Sequence, residues 1–289
     1  MKALSMTVEF ARNRAITPTQ VLPFSWLDRQ RWRYRLTARE AMPPSRTLKP
    51  VFPDARWTLV FIYLPSGGLG EAQRFMLARL KALDRRLLVV CAAPGPGDVP
   101  AELADMADAL CWKGLQGFDF SGYAIGLHAI AAGSPHADVF VLNDSTFGPF
   151  GDLAPLLEQA RWDLTGFCGS YQFEVHFHSF AFLMRDVTPV RMRHLRSIFP
   201  LSYSYNDIMP VVMCFETRFA RVASRHMTVG CLWCGPDDGK DPSIAHALAL
   251  LDLGFPFLKR GLLGKHRGKQ DERSVRAALV DRGFSAMVA

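Results

Sequence analysis

The first half of this 289-residue chain alternates between continuous apolar runs and amphipathic segments. Runs such as 57–64 and 137–142 are apolar at nearly every position and rich in β-branched and aromatic residues, which is typical of strands buried on both faces of a parallel sheet. Segment 71–83 instead repeats its apolar residues at helical spacing. The predicted order is strand 57–64, helix 71–83, strand 86–93, helix 100–107, strand 109–112, helix 120–132 and strand 137–142.

The second half of the chain has a less regular pattern. Strands are predicted at 164–168, 175–184 and 227–232, and helices at 153–160, 190–199, 209–226 and 246–253. The first two of these strands are separated by a short polar segment, which favours antiparallel pairing. Together the two halves predict an α/β fold, with a mostly parallel sheet flanked by helices and a mixed second half. We expect one continuous domain over 56–289, preceded by an N-terminal extension at 1–55.

Composition fits a globular protein with a sizeable core, since 49% of the residues are hydrophobic and 21% are charged. The net charge of +7 is explained either by a solvated basic face or by an anionic partner: a nucleic acid, an anionic membrane surface or a phosphate-bearing substrate. No recognised nucleic-acid-binding module surrounds the basic residues, so no nucleic-acid partner is expected. No run reaches the roughly 20 apolar residues of a membrane span, and the N-terminus has no apolar core of a signal peptide. We therefore expect a cytoplasmic protein, with peripheral contact at the inner face of the bacterial membrane as one explanation of its charge.

The sharpest chemical signal is the tripeptide Asn143-Asp144-Ser145, which follows the apolar run 137–142 and precedes a Gly-Pro turn. Ligands of open parallel sheets bind beyond the carboxyl ends of the strands. A carboxylate at such a position can hold Mg²⁺ or Mn²⁺ against a substrate diphosphate, because hard cations take oxygen ligands. The alternative is a plain turn, since Asn, Asp and Ser all favour turns.

Five segments together carry a family resemblance. They are Gly-Phe-Asp-Phe at 117–120, Asn-Asp-Ser-Thr-Phe-Gly-Pro at 143–149, the aromatic strand at 177–185, the Phe-Glu segment at 215–224 and Gly-Phe-Pro-Phe-Leu-Lys-Arg at 254–260. In this order and spacing they resemble the rhamnan synthesis F family, bacterial glycosyltransferases that build rhamnose-containing polysaccharides. The resemblance covers roughly residues 57 to 263. Two positions depart from it: Leu115 stands where an Asn is expected, and His178 where a Gln is expected.

The resemblance implies an inverting glycosyltransferase with a GT-A-like fold, divided into a donor half at about 56–150 and an acceptor half at about 151–265. The implied donor is a nucleotide sugar, with dTDP-rhamnose as the first candidate, and the implied acceptor is a growing glycan on a lipid carrier. Asp144 then stands where the acidic motif of that fold holds Mg²⁺ or Mn²⁺ and the diphosphate. Because only one carboxylate is present, metal binding is expected to be weak or dispensable.

Two further segments are candidates for donor binding. Asp119, which follows Gly117 near the start of a predicted helix, could accept hydrogen bonds from the nucleotide or the sugar, or could simply cap that helix. Pro65 and Ser66 begin a glycine-containing loop after the first buried strand. Glycines there allow a nucleotide to approach the backbone closely, although an ordinary turn between strand and helix explains them equally well.

An inverting transferase needs a general base that takes the proton of the attacking acceptor hydroxyl. Glu216 and Asp207 are the two candidates. Glu216 sits among apolar neighbours, and we expect burial to raise its pKa and make it a better base. The alternatives are an ordinary helix residue paired with Arg218 or Arg221 for Glu216, and a helix cap for Asp207.

His178 and Ser179 are expected to line the sugar or acceptor pocket. Strand alternation places the side chains of His176 and His178 on one face and that of Ser179 on the other. Such a histidine pair can bind metal but more often packs against aromatic rings. Near the C-terminus, Lys259 begins a basic cluster that could offset the charge of the leaving diphosphate, contact anionic lipid or simply face solvent.

A second function class remains open. The chain could be a non-catalytic module that keeps a degenerate transferase fold and binds glycan or a partner protein. The single carboxylate at Asp144 and the missing Asn at Leu115 both favour this alternative. Binding of a nucleotide sugar without turnover would distinguish it from an enzyme.

Overall fold

A ten-stranded sheet organises the protein, which is described here by a computed structural model over residues 9–17 and 25–284. The strands are β1 (Ala11–Ala15), β2 (Arg39–Ala41), β3 (Ser45–Lys49), β4 (Arg56–Tyr63), β5 (Arg86–Ala92), β6 (Ala109–Lys113), β7 (Ala137–Asn143), β8 (Thr146–Phe147), β9 (Leu164–Ser170), β10 (His176–Phe177), β11 (Ala181–Val187), β12 (Tyr203–Tyr205), β13 (Val229–Cys234) and β14 (Leu258–Lys259).

Helices cover both faces of this sheet. The α-helices are α1 (Trp26–Thr37), α2 (Glu71–Lys81), α3 (Ala101–Met106), α4 (Phe118–Gly133), α5 (Ala154–Gln159), α6 (Pro189–His194), α7 (Ile208–Val211), α8 (Thr217–Ala223), α9 (Pro242–Ala245), α10 (Ala247–Asp252) and α11 (Glu272–Val280). A π-helical turn at Val212–Glu216 joins α7 to α8, and 3₁₀ turns form at Pro96–Asp98 and Arg260–Leu263. None of the helices in the described residues is long and apolar enough to cross a membrane.

The strand order of the sheet is β1-β13-β9-β11-β7-β4-β5-β6-β3, with β10 paired to β9. Strands β4, β5, β6 and β7 are parallel neighbours, and β13 is parallel to β9. Strand β11 runs antiparallel to both β7 and β9, so β9 and β13 point the same way as the first four. Six of the ten strands therefore share one direction, and the predicted α/β fold with a mostly parallel sheet and a mixed second half is confirmed.

The central strands are buried because residues of both faces are apolar. Val60 of β4, for example, lies between Val89 and Leu142 in register, and all three are fully buried. On one face α4 packs so closely that glycine is required: a Cβ at Gly126 would lie 2.4 Å from Leu59 Cδ1. These two features fix the position of α4 and of the loop that precedes it, which belongs to the candidate site.

The predicted N-terminal extension contributes both edges of the sheet. Strand β1 pairs antiparallel with β13, and β3 pairs antiparallel with β6. Helix α1 contacts the π-helical turn, where the buried Arg31 donates hydrogen bonds to Met213 O and Thr217 Oγ1, each at 2.8 Å. Parts of both expected domains lie outside the described residues: 1–8 and 18–24 of the extension, and 285–289 of the main domain. The expectations for these parts stay predictions.

Two predicted elements are interrupted in the structure. The strand expected at 175–184 is two strands, β10 and β11, separated by His178, Ser179 and Phe180. The helix expected at 209–226 contains the π-helical turn that ends at Glu216. Such turns are frequent at functional sites because they change which face of a helix a side chain occupies. Both interruptions bring polar residues to one place, as described next.

Candidate functional site

The polar residues singled out in the sequence gather at one end of the sheet, where the carboxyl ends of the parallel strands lie. Because six strands share a direction, the loops that follow Tyr63, Lys113 and Asn143 leave from the same edge. Strand β11 runs the other way, so the residues that lead into it, 178–180, also lie there. The side chains at this edge form two neighbouring groups, a cavity around Asp144 and a buried charge cluster.

The tripeptide Asn143-Asp144-Ser145, at the end of β7, contributes side chains to both groups. Asn143 Nδ2 donates to Asp119 Oδ2 at 2.8 Å, and Asn143 Oδ1 accepts from Ser145 Oγ at 2.6 Å. Asp144 instead accepts hydrogen bonds at Oδ2 from Tyr63 N at 3.1 Å and Gln73 Nε2 at 2.7 Å. Side chains at the end of a strand leave on alternate faces, so Asn143 and Asp144 face different surroundings.

Asp144 lies at the wall of a cavity of about 350 Å³. Besides Asp144, the residues that line it are Tyr63, Leu64, Pro65, Ser66, Gly67, Gly68, Gln73 and Arg260. Burial raises the pKa of the Asp144 carboxyl, although the hydrogen bonds from Gln73 and Tyr63 favour its charged form. Arg260 brings a guanidinium to the same wall and donates to Asp144 O at 3.0 Å. The cavity thus combines one carboxylate, one cation and a glycine-containing loop.

The buried charge cluster consists of Asp119, His178, Glu216, Asp241 and Lys259. Glu216 Oε2 accepts from Ser179 N at 2.9 Å and from Ser179 Oγ at 2.6 Å. His178 lies between two carboxylates, with Nδ1 3.8 Å from Glu216 Oε1 and Nε2 3.1 Å from Asp241 Oδ1. Buried charges are tolerated when they are paired and hydrogen-bonded in this way.

Burial and pairing compete in setting the pKa values of this cluster. Burial alone lowers the pKa of His178, but the charge of Asp241 and contacts with Glu216 outweigh it and raise the pKa to about 10. Burial alone raises the pKa of Glu216, but His178 and Ser179 outweigh it and lower the pKa to about 2. The two pKa values shift in opposite directions because each residue stabilises the charged form of the other.

Asp119 and Lys259 complete the cluster on the side of the tripeptide. Burial, together with the nearby charge of Glu216, raises the pKa of Asp119 to about 6. Lys259 Nζ lies 3.9 Å above the ring of Phe180 and 3.4 Å from Ser145 Oγ. Burial lowers the pKa of Lys259, although the carboxylates of the cluster oppose that effect. Asp119 is therefore the acid of this cluster whose pKa lies closest to neutral.

Three expectations from the sequence are wrong. Burial was expected to raise the pKa of Glu216, yet its pKa is lowered because His178 and Ser179 stabilise the carboxylate. Ser179 was expected to face away from His178, yet both contact Glu216, because β10 ends at Phe177 and strand alternation does not extend to them. Asp119 does not cap its helix, because α4 begins at Phe118 and its N-cap residue is Gly117.

The remaining predicted residues lie at or near this edge. Gly117 has a φ of 84°, and its N–H donates to Asn206 Oδ1 at 2.9 Å. Asp207 is exposed at the N-cap of α7, without a capping hydrogen bond from its side chain. Lys259 faces the buried charge cluster, and its neighbour Arg260 lines the cavity instead.

Sequence reasoning missed Asp241 and Gln73. Asp241 accepts from Ser243 N at 2.8 Å and so caps α9, which its Asp-Pro-Ser sequence does indicate. That signal predicts a helix start and says nothing about His178, 63 positions earlier in the chain. Gln73, in the first turn of α2, likewise contacts Asp144 only through the fold.

The residues around Asp144 fit a hard divalent cation. Tyr63 N and Gln73 Nε2 both donate to Asp144 Oδ2 and so fix the orientation of the carboxylate. The other oxygen, Asp144 Oδ1, remains as a ligand atom. Mg²⁺ commonly takes one or two carboxylates and completes its shell with water and substrate phosphates. A single carboxylate is therefore sufficient for a cation that arrives with a diphosphate.

Comparisons with known proteins are made at the level of fold. No family model and no curated protein matches the chain. Among solved structures, the chain is similar to 4-diphosphocytidyl-2C-methyl-D-erythritol synthase from Anaerococcus prevotii, with a TM-score of 0.39 and 10% identity over 68% of this chain and 97% of that one. It is similar to the inositol-1-phosphate CTP transferase of T. maritima, with a TM-score of 0.37 and 10% identity over 64% and 91%.

A third similar structure is a protein from Desulfovibrio desulfuricans described as a nucleotide-diphospho-sugar transferase, with a TM-score of 0.33 and 14% identity over 78% of this chain and 97% of that one. All three TM-scores lie below 0.5, so these likenesses say nothing about what this chain binds or does. The resemblance to the rhamnan synthesis F family stays a prediction.

Proposed function

We propose that this chain is an inverting glycosyltransferase that moves a sugar from a nucleotide-sugar donor to a growing bacterial surface polysaccharide. One observation carries the proposal: the cavity with Asp144 and Arg260 lies at the carboxyl ends of the parallel strands, and the residue before Asp144, Asn143, is hydrogen-bonded to an acid of near-neutral pKa, Asp119. Such an enzyme needs room for a nucleotide, a cation for the diphosphate and an acid near the sugar. The volume of about 350 Å³ lies within the usual range of roughly 300–1,000 Å³ for ligand sites.

The donor would occupy the cavity with its nucleotide against the glycine-containing loop that begins at Pro65 and Ser66. Gly67 and Gly68 both have φ near 70°, and a Cβ at either would meet nothing within 4 Å, so backbone is exposed to a ligand there. Arg260 would bind the diphosphate. A bound Mg²⁺ or Mn²⁺ would neutralise part of the charge of the leaving group, with Asp144 as its protein ligand. The resemblance favours dTDP-rhamnose as the donor.

The reaction transfers the sugar to an acceptor hydroxyl. The hydroxyl oxygen forms a bond to the anomeric carbon, the bond from that carbon to the diphosphate breaks, and the diphosphate leaves with its electron pair. A base takes the hydroxyl proton. Of the acids at this edge, Asp119 has the pKa that suits a base near neutral pH, whereas Glu216 is held as a carboxylate of low basicity by His178 and Ser179. We therefore assign the base to Asp119, and a positioning role to Glu216.

The acceptor is proposed to be a lipid-linked glycan, which requires contact with a membrane surface. Helix α1 offers a suitable face, because Trp26, Trp32 and Leu36 are 55–73% exposed and share it with Arg29 and Arg33 at helical spacing. Trp side chains favour membrane–water interfaces, and Arg side chains are attracted to anionic lipid head groups. In a vesicle-sedimentation assay, the variant with Trp26→Ser and Trp32→Ser should bind anionic vesicles more weakly than the wild type; equal binding would refute this contact.

The enzymatic proposal is tested by nucleoside diphosphate release from dTDP-rhamnose, UDP-sugars and GDP-sugars in the presence of a lipid-linked acceptor. We expect turnover with one nucleotide class. Asp144→Asn should reduce it by roughly 10²-fold or more, the effect of losing one electrostatic group at a leaving charge. Asp252→Asn, which changes an exposed aspartate of α10, is the matched control and should be fully active. No turnover with any donor, or an unaffected Asp144→Asn, would refute the proposal.

The second candidate is a non-catalytic module that binds a nucleotide sugar or a glycan. Its support is that Glu216, the residue in the position of the expected base, accepts two hydrogen bonds from Ser179 at Oε2 and lies 3.8 Å from His178 at Oε1. The same assay separates the two functions, because a module would bind the donor at the Asp144 cavity and release no nucleoside diphosphate.

A further inference from the structure

His176 has an unusual environment for a core histidine. Its side chain is 1% exposed, and Nδ1 lies 2.8 Å from Glu174 O. A carbonyl oxygen only accepts hydrogen bonds, so Nδ1 carries the proton and Nε2 carries a lone pair. Within the described residues, nothing donates to this buried Nε2. A buried acceptor without a partner is destabilising, and a water or an ion at this position would satisfy it.

His178 and Glu216 present their own ligand atoms toward the same place. His178 Nε2 lies 3.1 Å from Asp241 Oδ1 without forming a hydrogen bond, and His178 Nδ1 lies 3.8 Å from Glu216 Oε1. Glu216 is held at Oε2 by Ser179, which leaves Oε1. In His176 and Glu216 one polar atom is therefore fixed by a hydrogen bond while the other is left as a ligand atom. Metal-binding histidines and carboxylates are oriented in this way by hydrogen bonds from outside the coordination shell.

We propose that His176, His178 and Glu216 form a binding site for a divalent transition metal ion, separate from the cation at Asp144. One ligand atom from each residue lies within 4.8 Å of the others. Zn²⁺–nitrogen bonds of roughly 2.0–2.1 Å place tetrahedral ligand atoms about 3.3 Å apart, so small side-chain movements close the site. Two imidazoles and one carboxylate suit Zn²⁺ or its neighbours in the first transition series, and three protein ligands leave a fourth position open.

A metal ion explains more of the geometry than an ion pair does. A protonated His178 between Glu216 and Asp241 leaves both His176 Nε2 and His178 Nε2 without a hydrogen-bond partner among the described residues. The ion satisfies all of the ligand atoms together. It also ties β10, the loop before β11 and the π-helical turn to one point, which gives the turn at Val212–Glu216 a structural reason.

The site is tested with the metal alone, using the full chain without a histidine tag in buffer without reductant, so that the disulfide between Cys231 and Cys234 stays closed. Co²⁺ is titrated as a spectroscopic substitute for Zn²⁺, and Zn²⁺ content after dialysis is measured by mass spectrometry. We expect one ion per chain, with visible absorption bands of a four- or five-coordinate Co²⁺ that Zn²⁺ abolishes. Absence of stoichiometric binding to the wild-type chain would overturn the proposal without any variant.

Variants then locate the ion. His176→Leu and Glu216→Gln should each weaken binding by more than the roughly 10–100-fold that loss of an outer-shell partner produces. Asp144→Asn should bind the ion normally, which separates this site from the donor cavity. His194→Ala controls for surface binding, because His194 and His226 are exposed and their rings stack 4.0 Å apart. Normal binding by His176→Leu, or loss of binding in His194→Ala or Asp144→Asn, would place the ion elsewhere and refute the site.

Discussion

Lys113, at the end of β6, is a buried lysine whose protonation should be measurable as a pH dependence of stability. Its side chain is fully buried, its Nζ donates to Gln116 O at 2.7 Å and lies 5.2 Å from the ring of Phe61. Burial lowers the pKa from 10.5 to about 7, although the charges of Asp119 and Cys91 oppose this effect. We consider the variant Lys113→Met, which keeps the length of the side chain and removes the amine.

The magnitude follows from linkage between protonation and folding. Between the folded pKa of about 7 and the unfolded value of 10.5, the unfolded chain binds more protons, so the free energy of unfolding rises with pH. Below pH 7 both states hold the proton, and the full destabilisation is present. One pKa unit corresponds to about 1.4 kcal/mol, so the buried charge destabilises the fold by up to roughly 5 kcal/mol at low pH.

Lys113→Met removes the destabilisation by the buried charge but leaves Gln116 O without its donor, which costs about 1–3 kcal/mol. In urea unfolding at pH 6, the variant should therefore be more stable than the wild type by roughly 2–4 kcal/mol. From pH 7.5 to 9.5 that advantage should shrink by about 1.4 kcal/mol per pH unit, because the wild-type amine is then neutral in the folded state. Lys269→Met, a change of an exposed lysine, is the control. A difference between Lys113→Met and wild type that does not change with pH would refute the reasoning.

Two further predictions concern packing and buried charge. Gly126→Ala should lower the free energy of unfolding by roughly 1–3 kcal/mol, because its Cβ would lie 2.4 Å from Leu59 Cδ1; Gly97→Ala, with nothing within 4 Å, should be near neutral, and equal melting temperatures for the two would contradict the close packing of α4. Arg31→Ala should cost about 3–5 kcal/mol because it breaks a buried ion pair. Arg56→Ala, which breaks an exposed pair, should cost less than about 1 kcal/mol, and a similar loss in both urea titrations would contradict the difference in burial.

The base assignment makes a kinetic prediction of its own. If Asp119 takes the proton, the turnover rate should rise with pH through about 6, and Asp119→Asn should remove most of the activity. The charge of Glu216 raises the pKa of Asp119, whereas Asn143, Lys259 and the backbone of Phe120 lower it; Lys113 is a further charged neighbour. If Glu216 were the base, no rise would be seen between pH 5 and 8, because its pKa of about 2 lies well below that range.

The sequence was sufficient for the strands and helices between residues 57 and 142, but it did not predict β1, α1, β2 and β3. The apolar runs at 57–64 and 137–142 correspond to β4 and β7 within one residue at each end, because a strand buried on both faces is apolar at every position. Their common direction places Asn143-Asp144-Ser145 at the carboxyl edge, as predicted. These features depend on local patterns and on the rules of parallel sheets, both of which a single sequence contains.

The sequence was not sufficient where contacts between distant residues decide the structure. The run 175–184 is apolar enough to resemble one strand, and only pairing with β9 and β7 shows that it is two. The pKa of Glu216 depends on His178, which lies 38 positions earlier and is itself fixed by Asp241. Hydrophobic patterning carries no information about such pairs, so the pKa direction expected for Glu216 from the sequence was wrong.

The central claim, a nucleotide-sugar site at the Asp144 cavity, is tested most directly by a binding titration followed as thermal stability. The purified chain is heated with dTDP-rhamnose, UDP-sugars or GDP-sugars, each with and without Mg²⁺ or Mn²⁺. A ligand at 100 times its dissociation constant stabilises the folded state by about 2.7 kcal/mol. That corresponds to a rise in Tm of roughly 4–5 °C for a chain of this size. We predict such a rise with one nucleotide class, its loss in Asp144→Asn and its retention in Asp252→Asn. No rise with any nucleotide sugar, or the same rise in Asp144→Asn, would contradict the account.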